Sequence, residues 1–378
     1  MHSSVRNIRV PLTIYFIMAG SVMFLTIWLL LQYVKGFTSV TMQKASNQSQ
    51  PISDELLIID TDAGIDDAVA ILTVLGDSKW RHKVTAITCV NGNTAVDNVS
   101  TNVLKILKIA NRLEIPVYRG ATQGIVHETN SSDFYGKDGM GDANYPEPPL
   151  NSSIQQDHAA VFLANIVKQN PGSITLLMIG PMTNVALAVR LNPQFMTEVG
   201  RIVYLGGAIG GGTNYDLRPA VEFNVYKDVE SASVVLQEVT KAKRQPQFFT
   251  MLPAEPVVSS FFKMSWRKTK LGTLGGNFIY FLNRIEKHYL TGDLWTTFDL
   301  YIAAVLLRWP ETVSGYEEVF VDVELEGKLT RGRLVVDHFG IFKKAPNVRM
   351  VTKLDQEAVK KLLLQNLQND PENHSIPE

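Results

Sequence analysis

The chain has 378 residues, of which 45% are apolar and 19% charged; that much apolar material builds a large core and excludes wholesale disorder. Lys plus Arg number 36 and Asp plus Glu 37, for a net charge of −1, so there is no basic excess to neutralise phosphates, which argues against a nucleic-acid partner. The lone cysteine, Cys89, excludes an internal disulfide and a thiolate metal cluster.

Residues 10–34 are an uncharged stretch of 25 residues between Arg9 and Lys35. Crossing ~30 Å of hydrocarbon takes about 20 such residues, more than the ~7–15 apolar residues of a cleaved leader. The expected order is a cytoplasmic tail (1–9), a signal-anchor transmembrane helix (10–34) and a polar linker (35–53); cleavage after the stretch would instead give a secreted protein. Arg6 and Arg9 nearly balance Lys35 and Lys44, so charge alone does not orient the stretch. Orientation rests on five Asn-X-Ser sequons, at Asn47, Asn98, Asn130, Asn151 and Asn373, all downstream of it. They point to a glycoprotein whose domain lies outside the cell or in the secretory lumen.

One domain is expected over residues 54–368, with a flexible tail over 369–378. Its first strand is the apolar run from Glu55 to Asp60, followed by a helix from Asp66 to Leu75. A strand from Val84 to Val90, a helix from Thr94 to Asn111 and a short strand from Ile115 to Tyr118 come next. A helix from Asp157 to Gln169, a strand from Ser173 to Gly180, a helix from Thr183 to Leu191 and a strand from Arg201 to Gly207 follow. Strands alternating with helices imply an α/β fold with an open, mostly parallel sheet and helices on both faces. Ligands of such sheets sit at the carboxyl ends of the strands.

Asp60-Thr-Asp62-Ala-Gly-Ile-Asp66-Asp67 follows the first strand and holds four carboxylates in eight residues. Like charges ~4 Å apart repel by roughly 4 kcal/mol at an effective dielectric of 20. Helix capping accounts for one or two of the four; the set as a whole points to a cation held by hard oxygens, Ca²⁺ or Mg²⁺. An EF-hand is excluded, because Ile65 and Ile71 stand where that loop needs Gly and Glu. Asn91-Gly-Asn93 follows the second strand, and Gly180-Pro-Met-Thr-Asn184 the run ending at Ile179. Glu222 and Asn224 sit at alternate positions, so both can face one pocket, and Asp299 opens an apolar helix, where it also reads as a cap.

Together these segments, with Gly136–Asp142 and Gly327–Asp337, resemble the inosine–uridine-preferring nucleoside hydrolase family from about Leu56 to Leu364. The resemblance implies calcium-dependent hydrolysis of the N-glycosidic bond of ribonucleosides, with inversion at the anomeric carbon, in a homodimer or homotetramer. It assigns Asp62 as a Ca²⁺ ligand and the base toward water, with Asp67, Asp299 and the carbonyl of Ile179 as further ligands. Asp66, Asn93, Glu222 and Asn224 would hold ribose hydroxyls, Asp60 would support them from behind, and Asn214, Asp216 or neither would complete the set. Many relatives carry a histidine before the last aspartate ligand and another before the glycine of the Gly136 loop; this chain has Phe298 and Tyr135. Three readings follow: a purine-leaning enzyme whose rings stack on the base, ordinary activity with another proton donor such as Tyr135 or solvent, or a weak or inactive calcium-bound riboside-binding protein. The Gly/Pro-rich segment 137–149 reads as a lid.

Overall fold

The computed structural model describes residues 55–128, 132, 134–143, 153–210 and 220–368. The chain divides into a unit of Met1–Gln43 and a unit of Lys44–Glu378, and everything below belongs to the second. The expected anchor, linker and tail, Asn214 and Asp216, and the sequons at Asn47, Asn130, Asn151 and Asn373 lie outside the described residues. Among the described residues, no helix is long and apolar enough to cross a membrane.

The strands are β1 (Leu56–Thr61), β2 (Val84–Cys89), β3 (Val117–Arg119), β4 (Ile154–Gln155), β5 (Ile174–Met178), β6 (Arg201–Leu205), β7 (Phe249–Leu252), β8 (Phe262–Lys263), β9 (Leu294–Trp295), β10 (Val313–Val323), β11 (Leu334–Asp337) and β12 (Val348–Leu354). The main helices are α1 (Ile65–Leu75), α2 (Val96–Ile109), α3 (Ala159–Gln169), α4 (Thr183–Leu191), α5 (Val229–Ala242), α6 (Asn277–Ile285), α7 (Asp299–Leu307) and α8 (Gln356–Gln368). Among the described residues, ten strands form one sheet in the order β11-β10-β12-β7-β6-β5-β1-β2-β3-β4, while β8 and β9 pair separately. The sheet is parallel from β12 to β4; β10 joins β12, and β11 joins β10, antiparallel.

From β1 the chain steps through β2, β3 and β4 toward one edge, then returns to β5 on the other side of β1 and steps through β6 to β7. The reversal lies between β1 and β5, and a crevice opens there at the carboxyl ends of the strands. Helices cover both faces, so each central strand is buried on both sides. Leu57 and Ile59 pack into one core and Ile58 into the other. Each fully buried side chain of this kind is worth roughly 1.5–3 kcal/mol, and the outcome is an apolar run in place of an alternating pattern. Both α1 and α7 are buried along their whole length and pack against each other, which explains why neither shows a polar stripe.

The expected elements of the amino-terminal half are present with small shifts of their ends. β3 starts at Val117 instead of Ile115 because Pro116 has no N–H to donate; its carbonyl takes the Ile87 N–H. α3 starts at Ala159, where the His158 Nδ1 accepts the Ala160 N–H at 3.1 Å. β6 ends at Leu205 because Gly207 turns the chain with a φ of +87°.

Candidate active site

Asp60 lies near the carboxyl end of β1 and Asp62 just beyond it. Asp60 is buried; its Oδ2 accepts the Thr88 hydroxyl at 2.5 Å and the Asn184 amide at 2.9 Å. Burial pushes its carboxyl up to about 7 against the pull of those two bonds, and its Oδ1 has no partner among the described residues. Asn184 also bonds the Cys89 carbonyl and the Ala121 N–H, fastening the turns after β2 and β3 to that after β5.

Asp62 faces the crevice. Its Oδ2 accepts the Asn93 N–H at 2.7 Å. This approach depends on glycine: a Cβ on Gly92 would fall 2.0 Å from that oxygen, and one on Gly180 would fall 2.9 Å from the Asp62 nitrogen. Burial first, then the charge of Asp67, pushes the Asp62 carboxyl well above the usual range.

The first turn of α1 brings in Asp66 and Asp67. Asp67 accepts the Thr61 hydroxyl, the Gly64 N–H at 2.8 Å and the Asn93 side-chain amide at 3.1 Å. Asp66 accepts the Phe298 N–H at 3.3 Å and the Tyr135 hydroxyl, and its Oδ1 is buried with no partner among the described residues. Asp299, at the start of α7, hydrogen-bonds Asp67. One carboxylate oxygen from each of Asp66, Asp67 and Asp299 lies within 4.8 Å of the others. Burial pushes Asp66 up to about 6 and Asp67 to about 7, and it pushes Asp299 well above the ordinary range, with like charge adding to Asp67 and Asp299. A divalent cation fits this set: the donors are hard oxygens, one is an orphan, and the repulsion needs positive charge. Asp62 is outside the group of three but is coupled to it by charge.

The remaining expected residues form the floor. The Asn224 amide donates to the carbonyls of Ile179 and Leu205, both at 3.1 Å, and so ties the ends of β5 and β6 together. Glu222 caps the turn Phe223–Lys227, accepting the Asn224 and Gly207 N–H groups at 2.8 Å each and the Val225 N–H at 3.2 Å. Burial pushes its carboxyl up to about 7, opposed by those donors. Sequence reasoning missed Lys227, whose amino group is buried and pushed down to about 8, with the Asp62 charge opposing the shift. Its position three residues after Asn224 on one short helix was the available signal.

A cavity of about 470 Å³ opens beside Asp66, walled by Phe134, Tyr135, Tyr289 and Trp295. Tyr135 is buried, edge-on to Phe134 at 4.8 Å and to Tyr289 at 5.6 Å. Phe298 packs edge-on against Phe261 at 5.2 Å. The far wall is anchored by a buried ion pair: Arg267 Nε donates to Glu286 at 2.9 Å, and Glu286 also takes the Trp295 indole N–H at 2.6 Å. Segment 137–143 is tied down. Asn102 donates to the Asp138 carbonyl at 2.7 Å, and Thr94 donates to the Lys137 carbonyl at 2.9 Å. The expected lid therefore has its described part fixed, and 144–149 lies outside the described residues. Asn98 is half-buried on α2, and its side-chain amide donates to Thr94 and to the Lys137 carbonyl.

An acidic crevice at the reversal point of a parallel sheet, with an aromatic cavity alongside, stands where α/β folds bind their ligands. Residues 57–361 match the family model "Inosine-uridine preferring nucleoside hydrolase", and the chain belongs to that family. It is 32% identical over 317 residues to the pyrimidine-specific ribonucleoside hydrolase RihA of Klebsiella pneumoniae, covering 82% of this chain and 97% of that one. It is also 32% identical over 330 residues to the probable uridine nucleosidase 2 of Arabidopsis thaliana, with the same coverage. Among solved structures it resembles an inosine-guanosine nucleoside hydrolase, with a TM-score of 0.75 and 29% identity over 83% of this chain and 99% of that one. The activity class is hydrolysis of ribonucleosides.

Proposed function

We propose that the chain is a calcium-dependent, purine-leaning nucleoside hydrolase releasing ribose and free base. The observation that carries the cation is the buried set Asp66, Asp67 and Asp299, with Asp62 beside it. Asp62, Asp67, Asp299 and the Ile179 carbonyl would hold Ca²⁺. When bound, the cation supplies Lewis-acid charge beside the ribose and the attacking water. Asp62 takes the water's proton across a hydrogen bond. Asp66 and Asn93 orient ribose hydroxyls, joined by Asn214, while Glu222 and Asn224 present hydroxyl-binding groups and keep the floor rigid. The carboxylates stabilise the positive ribose of an oxocarbenium-like transition state. The purine preference rests on Phe298, Tyr135 and the aromatic cavity, since ring stacking is worth about 0.5–1.5 kcal/mol per pair.

The test is ribose release from inosine, guanosine, adenosine and uridine, with and without chelator. Asp62→Ala should lower kcat by about 10²–10⁴. Turnover insensitive to chelator would reject calcium, and a uridine preference would reject the purine reading and align the chain with the two relatives named for pyrimidines. Tight riboside binding without turnover would make it a binding protein. Residues 10–34 would anchor it in a membrane, with the domain outside the cell or in the secretory lumen and carrying glycans. A homodimer or homotetramer is proposed from the family resemblance alone.

A further inference from the structure

We propose that His288 is the catalytic acid that protonates the departing base. The proposal rests on the nucleoside hydrolase reading and adds the residue that completes it. Cleavage of the N-glycosidic bond leaves its electron pair on a base nitrogen, and a proton delivered there lowers the barrier. The donor must line the space the base occupies, and the cavity beside Asp66 is that space: it adjoins the acidic crevice and has aromatic walls.

Thr291, Thr296, Thr297 and Trp295 line this cavity with hydroxyls and an indole N–H that donate hydrogen bonds but are too weakly acidic to give up a proton, and Asp66 is assigned to the ribose. The Tyr135 hydroxyl is committed to Asp66, and burial makes it a weaker acid than an ordinary phenol. Burial acts the same way on Tyr289. Glu286 is an acceptor held by Arg267 and Trp295. Asp293 is a carboxylate, an acceptor when ionised. His288 also lines the cavity, from an exposed position, and a protonated imidazole presents two N–H donors. Its backbone is held in a fixed turn, since the Glu286 carbonyl accepts the N–H of Tyr289 at 2.7 Å and that of Leu290 at 3.0 Å. The Glu286 side chain is in turn locked into the core.

The step balances. The bond from the ribose anomeric carbon to the base breaks, and its electron pair goes to the base nitrogen. The His288 proton moves onto the base. A water oxygen bonds the anomeric carbon, Asp62 takes that water's proton and releases it to solvent, and solvent returns a proton to His288.

The experiment compares the full-length wild type, His288→Gln and Tyr289→Phe on inosine and on p-nitrophenyl β-D-ribofuranoside, whose phenolate departs without a proton. His288→Gln should lose about 10²-fold or more in kcat on inosine and no more than about threefold on the p-nitrophenyl riboside. Equal losses on both substrates, or no loss on inosine, would overturn the proposal, as would a leaving-group-selective loss in Tyr289→Phe alone. Thermal midpoints of the variants check folding. A wild type that hydrolyses neither substrate would remove the hydrolase reading and this proposal together, whereas an active wild type with an unaffected His288→Gln removes the proposal only.

Discussion

Replacing Gly92 with alanine tests how tightly the turn after β2 is closed on Asp62. The new Cβ would sit 2.0 Å from the Asp62 Oδ2, 2.6 Å from its Cγ and 2.7 Å from its Cβ. Non-bonded heavy atoms settle near 3.5–4.0 Å, so the two segments must part by about 1 Å or more. Rotating the Asp62 side chain does not relieve this, because its Cβ is itself too close. The Asn93 N–H that bonds Asp62 is on the next residue and moves with the turn. A displacement of ~1 Å from productive geometry costs about 10²-fold in rate, equivalent to about 2.7 kcal/mol. Overpacking a buried site adds a stability loss of about 1–3 kcal/mol. Steady-state ribose release and thermal unfolding of Gly92→Ala measure both, with Gly275→Ala as control because open space surrounds that position. Gly92→Ala retaining more than a third of wild-type kcat/KM with an unshifted midpoint would refute the reasoning.

Asn184→Ala removes the amide that bonds Asp60, the Cys89 carbonyl and the Ala121 N–H; buried groups left without partners cost about 1–3 kcal/mol each, so the denaturant midpoint should fall with an unchanged m-value. The metal-free protein should lose stability as pH rises, because Asp60, Asp66 and Asp67 have folded values pushed to about 7, 6 and 7. A carboxyl raised on folding favours the fold when protonated, so its contribution declines from about pH 4 and is gone above about pH 7. The midpoint of chelated protein should therefore fall between pH 5 and 8, and added Ca²⁺ should flatten the profile; a midpoint that rises over this range in chelator would contradict it. Phe298→Ala should reduce kcat/KM for inosine and guanosine by about threefold to tenfold more than for uridine, given about 0.5–1.5 kcal/mol per aromatic pair; an equal loss on all three counts against stacking.

The parts legible in the sequence share one cause. β1, β2, β5 and β6 are buried on both faces, so each is written as a mostly apolar run, broken by Thr85, Thr88 and Thr175 and by Arg201 at the start of β6, and ended or followed by Gly, Asn or Asp. The acidic set after β1 is legible because four carboxylates in eight residues have no ordinary use. Asp299 is different: as the first residue of α7 it reads equally as a cap, and only the family resemblance assigned it to the site. β10 and β12 were not legible. Their sequences, VSGYEEVFVDV and VRMVTKL, mix charge with apolar residues, and their place depends on pairings with each other and with β7. Thr88 and Asn184 were not legible as supports of Asp60, because their bonds reach across 28 and 124 residues. Lys227 was overlooked because a lysine is ordinarily exposed.

The order of the sheet also sets when the protein becomes a working object during its own synthesis. β12 is the last strand to leave the ribosome, yet it inserts between β7 and β10, and Asp299 arrives more than 230 residues after Asp66. A nascent chain halted before α7 lacks the Asp299 carboxylate that joins Asp66 and Asp67, and one halted before β12 leaves the flank of β7 bare. The buried acidic set is therefore complete only once the chain has been made as far as α7.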